Sequence, residues 1–159
     1  MNSTVFFREL PAATRPHLPP ELRKFRAAAR SWLAQMYYAD PHLHYEVWNL
    51  GERRGKLEIG LHFESRDKAT NERYLAGFQQ HMFEVKAQLG EDWEAEPWDK
   101  GWTKVYTTIE RETFTEDYLE RVAQQLAGAM IVLQPIFEDV RSGRAGSSKT
   151  RSAFKSSQV

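Results

Sequence analysis

Apolar side chains recur along this chain with two different periods, and the changes of period mark its elements. From Pro20, a residue suited to the first turn of a helix, Leu22, Phe25, Ala29, Trp32, Leu33 and Met36 follow at three- and four-residue spacing. That pattern predicts an amphipathic helix ending near Tyr38, with Asp40-Pro41 as its breaker. Two alternating stretches come next, His42 to Leu50 and Lys56 to Glu64, separated by Gly51-Glu52-Arg53-Arg54-Gly55, and they predict a β-hairpin. In its second strand Leu57, Ile59, Leu61 and Phe63 point one way and Glu58, Gly60, His62 and Glu64 the other.

Asp67 is a suitable N-cap for a second helix, whose apolar face runs through Leu75, Phe78, Met82, Val85 and Leu89 to a stop at Gly90. Thr103 to Glu110 is rich in β-branched residues and reads as a third strand, with Trp93 to Pro97 a candidate fourth. Thr115, followed by Glu116 and Asp117, opens the longest helix, and Pro135 predicts a kink or a separate last turn carrying Ile136, Phe137 and Val140. Residues 1–19 contain Pro11, Pro16 and Pro19 and are expected to form an extended arm anchored by Val5, Phe6 and Phe7. The expected fold is α+β, a small antiparallel sheet of three to four strands packed against three long helices. The expected division is an arm over 1–19, a single domain over 20–141 and a disordered, basic, Ser/Gly-rich tail over 142–159.

Charge adds to this picture through its distribution, because the formal net charge of the 159 residues is zero. Five of the 22 bases, Arg141, Arg144, Lys149, Arg151 and Lys155, follow residue 140, where no acid occurs. The first 140 residues therefore hold 17 bases against 22 acids. Such a body is not built to wrap nucleic acid, whose phosphates must be met by clustered Lys and Arg, and only the tail suits that task. The absence of cysteine excludes disulfides, thiolate nucleophiles and Cys-based zinc sites. No stretch has the length and apolarity of a signal peptide or membrane span, so a soluble, cytoplasmic protein with no membrane partner is expected.

Candidate chemistry concentrates on the polar face of the hairpin. His44, Glu46 and Trp48 share a face with Glu58, Gly60, His62 and Glu64, and one register allowed by the loop pairs His44 with Glu64, Glu46 with His62 and Trp48 with Gly60. The set His44, Glu46, His62 and Glu64 offers two imidazoles and two carboxylates, able to hold a divalent metal or to pair acid with base. The plainer reading is a wet sheet face in which His and Glu pair across strands for ordinary stabilisation. Trp93, Trp98 and Trp102, set among Glu91, Asp92, Glu94, Glu96 and Asp99, form with Trp48 a candidate aromatic cleft, or else close the end of the core. Two other patterns carry little. The run Gly143 to Thr150 resembles a phosphate-binding loop, but Ser148 replaces the glycine expected before Lys149 and only nine residues follow. Glu84 and Lys86, with Asp67 upstream, echo a nuclease metal site but diverge on a predicted helix.

A His-Tyr-Glu-Val-Trp strand, the run Leu57 to Glu64, a helix closing at Leu89-Gly90, a Trp-Glu strand and the ending Leu133-Gln-Pro-Ile-Phe137 together resemble an uncharacterised bacterial α+β domain family. That family is found beside or fused to restriction-type and other defence nucleases. The resemblance spans His44 to Val140 and implies an accessory or interaction role, with no active-site residue carried over. No complete catalytic motif is present and no cofactor is called for. The leading expectation is a non-enzymatic binding module that meets a protein partner through its body and nucleic acid through its tail. The alternative is a metal-assisted hydrolase built on the His/Glu set.

Overall fold

A computed structural model of the chain describes residues 1–143, so Arg144, Lys149, Arg151 and Lys155, and the run beginning at Gly143, fall almost wholly outside the described residues. Six strands form one antiparallel sheet: β1 (Arg26–Arg30), β2 (Leu33–Tyr37), β3 (Leu43–Asn49), β4 (Lys56–Phe63), β5 (Glu94–Pro97) and β6 (Thr103–Glu110). They lie in the order β1-β2-β3-β4-β6-β5. Four helices accompany them: α1 (Ser3–Thr14), α2 (Lys68–Gln79), α3 (Met82–Leu89) and α4 (Glu116–Ser142). The fold is α+β as expected, but with a wider sheet and one more helix than the three to four strands and three helices read from the sequence.

The two extra strands come from the segment read as a helix over residues 20–38. Only Pro20–Leu22 makes a single 3-10 turn there, and the rest is the β1–β2 hairpin. In β2, Ala34 and Met36 point into the core at 0% exposure, a two-residue alternation that the three- and four-residue spacing concealed. Pairing of Ala34 with Val47 and of Met36 with Tyr45 on β3 overrides the helical propensity of the alanine-rich run.

The N-terminal segment is likewise not an extended arm. Asn2 caps α1 by accepting the Val5 N–H at 2.9 Å, and Phe6, Phe7 and Leu10 are fully buried. Phe6 lies 4.6 Å from the Phe114 ring and 5.6 Å from Tyr118, so burial of this aromatic group outweighs the helix-breaking tendency of Pro11 in the last turns.

Asp67 caps α2 and Gly90 ends α3 as predicted, but the single helix expected between them is divided at Gln80-His81, and Asn71, Tyr74 and Phe78 face the core on α2 while Leu75 is only half-buried. Thr115 caps α4, which runs through Pro135 as one α-helix. Pro135 lies on the exposed side and so does Ile131, whose carbonyl loses its partner four residues on, so water can reach the unpaired group and the helix continues. Arg141 belongs to the end of this helix, where it pairs with Glu138, and not to a tail.

The core lies between α1, α2 and α4 and one face of the sheet, where Val47, Leu57, Ile59, Leu61, Phe63 and Val105 are buried. The opposite sheet face carries the polar residues. No helix among the described residues is long and apolar enough to cross a membrane.

Candidate metal centre

Strand parity brings the polar residues together, and hairpin register decides which of them meet. His44 pairs with His62, Glu46 with Gly60 and Trp48 with Glu58. This register is displaced by two residues from the expected pairs, because the loop closes more tightly. Leu50 N–H donates to the Lys56 carbonyl at 3.1 Å, and Gly51 and Gly55, at φ of 96° and 63°, turn the chain between them. A two-residue shift keeps every side chain on its face, so the cluster forms all the same.

Side chains of His44, Glu46, His62 and Glu64 each present a ligand atom within 4.8 Å of all the others. Their exposures are 3%, 6%, 0% and 16%, and the face is therefore dry instead of wet. Gly60 contributes by having no side chain: a Cβ there would lie 2.7 Å from both Tyr106 Cβ and the Val105 carbonyl.

The two imidazoles have different roles. His44 Nδ1 is 2.8 Å from the Pro41 carbonyl, which can only accept, so Nδ1 carries the hydrogen. Its Nε2 then faces the cluster, 3.3 Å from Gln35 Nε2, 3.4 Å from Glu46 and 3.8 Å from Glu64. The His62 ring stacks on His44 with centroids 5.7 Å apart and sits between two carboxylates, with Nε2 2.8 Å from Glu58 and Nδ1 3.0 Å from Glu64. Burial opposes its charge, but the hydrogen bonds to Glu58 and Glu64 and the charge of Glu46 prevail, and the pKa rises to about 9. His62 is an imidazolium at neutral pH.

Burial also opposes the charge on Glu46 and Glu58. For Glu46 the His44 and His62 imidazoles and the Gln35 amide, at 2.9 Å, more than compensate, and its pKa is lowered. For Glu58 the same is done by His62 and by the Lys104 ammonium, 2.5 Å away.

Aromatic rings flank the cluster. Trp98 stands edge-on to His62 at 5.5 Å, with Trp48 at 6.1 Å and Trp102 at 5.4 Å, and Lys104 lies 5.1 Å above it and 4.0 Å from the Tyr106 ring centre. The Trp98 indole N–H is buried without a hydrogen-bond partner among the described residues. Trp93 does not join this group: it is buried in the core, so the expected four-tryptophan cleft holds three. The loop between β5 and β6 that carries Trp98 and Trp102 turns at Lys100 and Gly101, at φ of 57° and 78°. Asn71 of α2 anchors that loop, donating to the Gly101 carbonyl at 3.1 Å and to Ser65 at 2.9 Å.

Three members of the site escaped sequence reasoning. Glu58 shared the right face, but the expected register set Gly60, not Glu58, opposite Trp48. Lys104 has the parity that puts it beside His62, yet only the β4–β6 pairing reveals it. Gln35 lay in the segment read as a helix. Glu84 and Lys86 sit on α3, with Asp67 spent as the α2 cap.

Four donors bonded to a tetrahedral ion at about 2.0–2.1 Å stand roughly 3.4 Å apart. Closing from 4.8 Å asks for shifts of about 1 Å, within the reach of side-chain rotation. Three of the four donors already hold outer partners of the kind that orient metal ligands: Pro41 for His44, Gln35 for Glu46 and Glu58 for His62. No protein-family model, no curated protein and no solved structure matches this chain.

Proposed function

We propose that this protein is a non-enzymatic binding module organised around a divalent transition-metal centre held by His44, Glu46, His62 and Glu64. The observation that carries the reading is the convergence within 4.8 Å of four nitrogen and oxygen donors, three buried and one half-buried, from β3, β4 and the residue that follows β4. Mixed imidazole and carboxylate ligation suits zinc and its first-row neighbours better than magnesium or calcium, which take oxygen alone. Charge supports it as well. With His62 protonated, Glu46, Glu58 and Glu64 face two cations, His62 and Lys104; a divalent ion that displaces the His62 proton leaves the cluster formally neutral.

The hydrolase reading has less support. A catalytic zinc keeps a coordination position for water, normally beside three protein ligands, whereas four donors here fill a tetrahedron and three of them are almost sealed from solvent. Metal at this place clamps β3 to β4 and fixes the tryptophans above them. An accessory role beside nucleic-acid-acting or defence enzymes, with Arg144, Lys149, Arg151 and Lys155 meeting polyanions, belongs to the same reading and is motivated by the likeness across His44–Val140.

Zinc titration of chelator-treated protein tests the centre. Isothermal calorimetry is expected to give one site per chain, and saturation at a hundredfold excess over Kd to stabilise the fold by about 2.7 kcal/mol. His44→Ala and Glu46→Gln are each expected to weaken binding ten- to a hundredfold or more. An unchanged melting temperature with zinc, manganese, cobalt and nickel alike would end the proposal.

A further inference from the structure

The two edges of the sheet carry opposite charge. Residues 1–38 contain six bases, Arg8, Arg15, Arg23, Lys24, Arg26 and Arg30, against two acids, whereas residues 39–140 contain 11 bases against 20 acids. The fold puts part of the first group on one outer strand and part of the second on the other. β1, reading Arg-Ala-Ala-Ala-Arg, is exposed along its whole length, and neither Arg26 nor Arg30 enters an ion pair among the described residues. β5 is exposed at Glu94, Glu96 and Pro97, with Asp92 exposed just ahead of it. Lys86 lies 3.5 Å from Glu94, and Glu96 accepts a hydrogen bond from Tyr106.

Each outer strand presents unpaired backbone donors and acceptors that another strand can complete. Topology limits how. All neighbouring strands are antiparallel and their number is even, so β5 runs opposite to β1, and a second copy translated along the sheet brings its β1 antiparallel to β5 of the first. Arg26 and Arg30 share the polar face with Glu94 and Glu96: the ladders run Arg26 to Tyr37 on one side and Glu96 to Lys104 on the other. An antiparallel register that sets Arg26 opposite Glu96 also sets Ala28 opposite Glu94 and Arg30 opposite Asp92, each base meeting an acid on the same face. The two-fold alternatives fail on charge. Pairing β1 with β1 about Ala28 brings Arg26 against Arg30, and pairing β5 with β5 brings glutamates together.

We propose that copies of this chain associate head to tail, the β1 edge of one pairing antiparallel with the β5 edge of the next through Arg26–Glu96 and Arg30–Asp92 contacts. The contact is heterologous and continues the sheet from copy to copy. Four or five paired residues make a small interface whose charges are exposed, so the assembly is weak, concentration-dependent and screened by salt.

Sedimentation velocity of the full chain over a concentration series, at low and at high salt, is the test. The wild-type weight-average mass is expected to rise with concentration at low salt and to return to the monomer at high salt. A double variant, Arg26→Glu with Arg30→Glu, and a triple variant, Asp92→Arg with Glu94→Arg and Glu96→Arg, change exposed residues, and their circular dichroism and melting are expected to match the wild type. Each alone carries one sign on both edges and is expected to stay monomeric. Mixed in equal amounts they present complementary edges again and are expected to regain the wild-type rise. A wild type that stays monomeric at low salt overturns the proposal. So do variants that associate as the wild type does, and a mixture that stays monomeric.

Discussion

Alkali should weaken the metal-free protein through one residue, His62. Its imidazolium is fully buried between Glu58 and Glu64, and its pKa is about 9 in the folded chain against about 6.5 in the unfolded one. A group whose pKa is raised by folding contributes its full stabilisation below the unfolded value and loses it as pH climbs through the folded value. The window is therefore pH 6.5 to 9. Shifts of this size correspond to about 3 kcal/mol at 1.36 kcal/mol per unit, and the slope inside the window approaches that figure per pH unit. Above pH 9 the neutral ring withdraws its charge from Glu46, Glu58 and Glu64, while Lys104 stays paired with Glu58. Glu46 and Glu58, with lowered pKa values, and Tyr38, raised to about 12, titrate outside the window. Urea denaturation in the presence of chelator, repeated from pH 6 to 9.5, reads the energy, and histidine side-chain NMR over the same range reads the proton itself. A His62 resonance that titrates at or below 6.5, or a metal-free stability that stays level across the window, would refute the account of the cluster.

Further expectations concern the scaffold. Phe6→Ala removes a fully buried ring that meets Phe7, Phe114 and Tyr118, and urea denaturation is expected to show a loss of about 3–5 kcal/mol; a loss near zero would return residues 1–19 to the status of an arm. Gly60→Ala drives a methyl to 2.7 Å from Val105 O and Tyr106 Cβ, and is expected to cost about 1–3 kcal/mol and to weaken zinc binding in calorimetry. Pro135→Ala restores a hydrogen bond on the exposed side of α4 and is expected to raise the melting temperature, whereas a fall would show that the ring supports a needed bend.

Local pattern by itself determined the central β-hairpin, the strand over Thr103–Glu110, the caps at Asp67 and Thr115 and the stop at Gly90, because each depends on neighbours within a few residues in the chain. It also determined that His44, Glu46, His62 and Glu64 share one face, since side-chain direction in a strand follows parity and survives the two-residue error in register. What parity cannot supply is depth. These residues are buried because Trp98, carried on the loop between β5 and β6, and Lys104 on β6 come to lie beside them, and those contacts span more than thirty positions in the chain. Identity of the strands at one edge was likewise decided by tertiary structure: an alanine-rich segment with helical spacing became β1 and β2 only because β3 offered Val47 and Tyr45 as partners for Ala34 and Met36. The same holds at the N-terminus, where prolines argued for an open chain and the burial of Phe6, Phe7 and Leu10 against α4 and Phe114 made a helix. Where free energy comes from contacts distant in sequence, local propensity is the smaller quantity and is overruled.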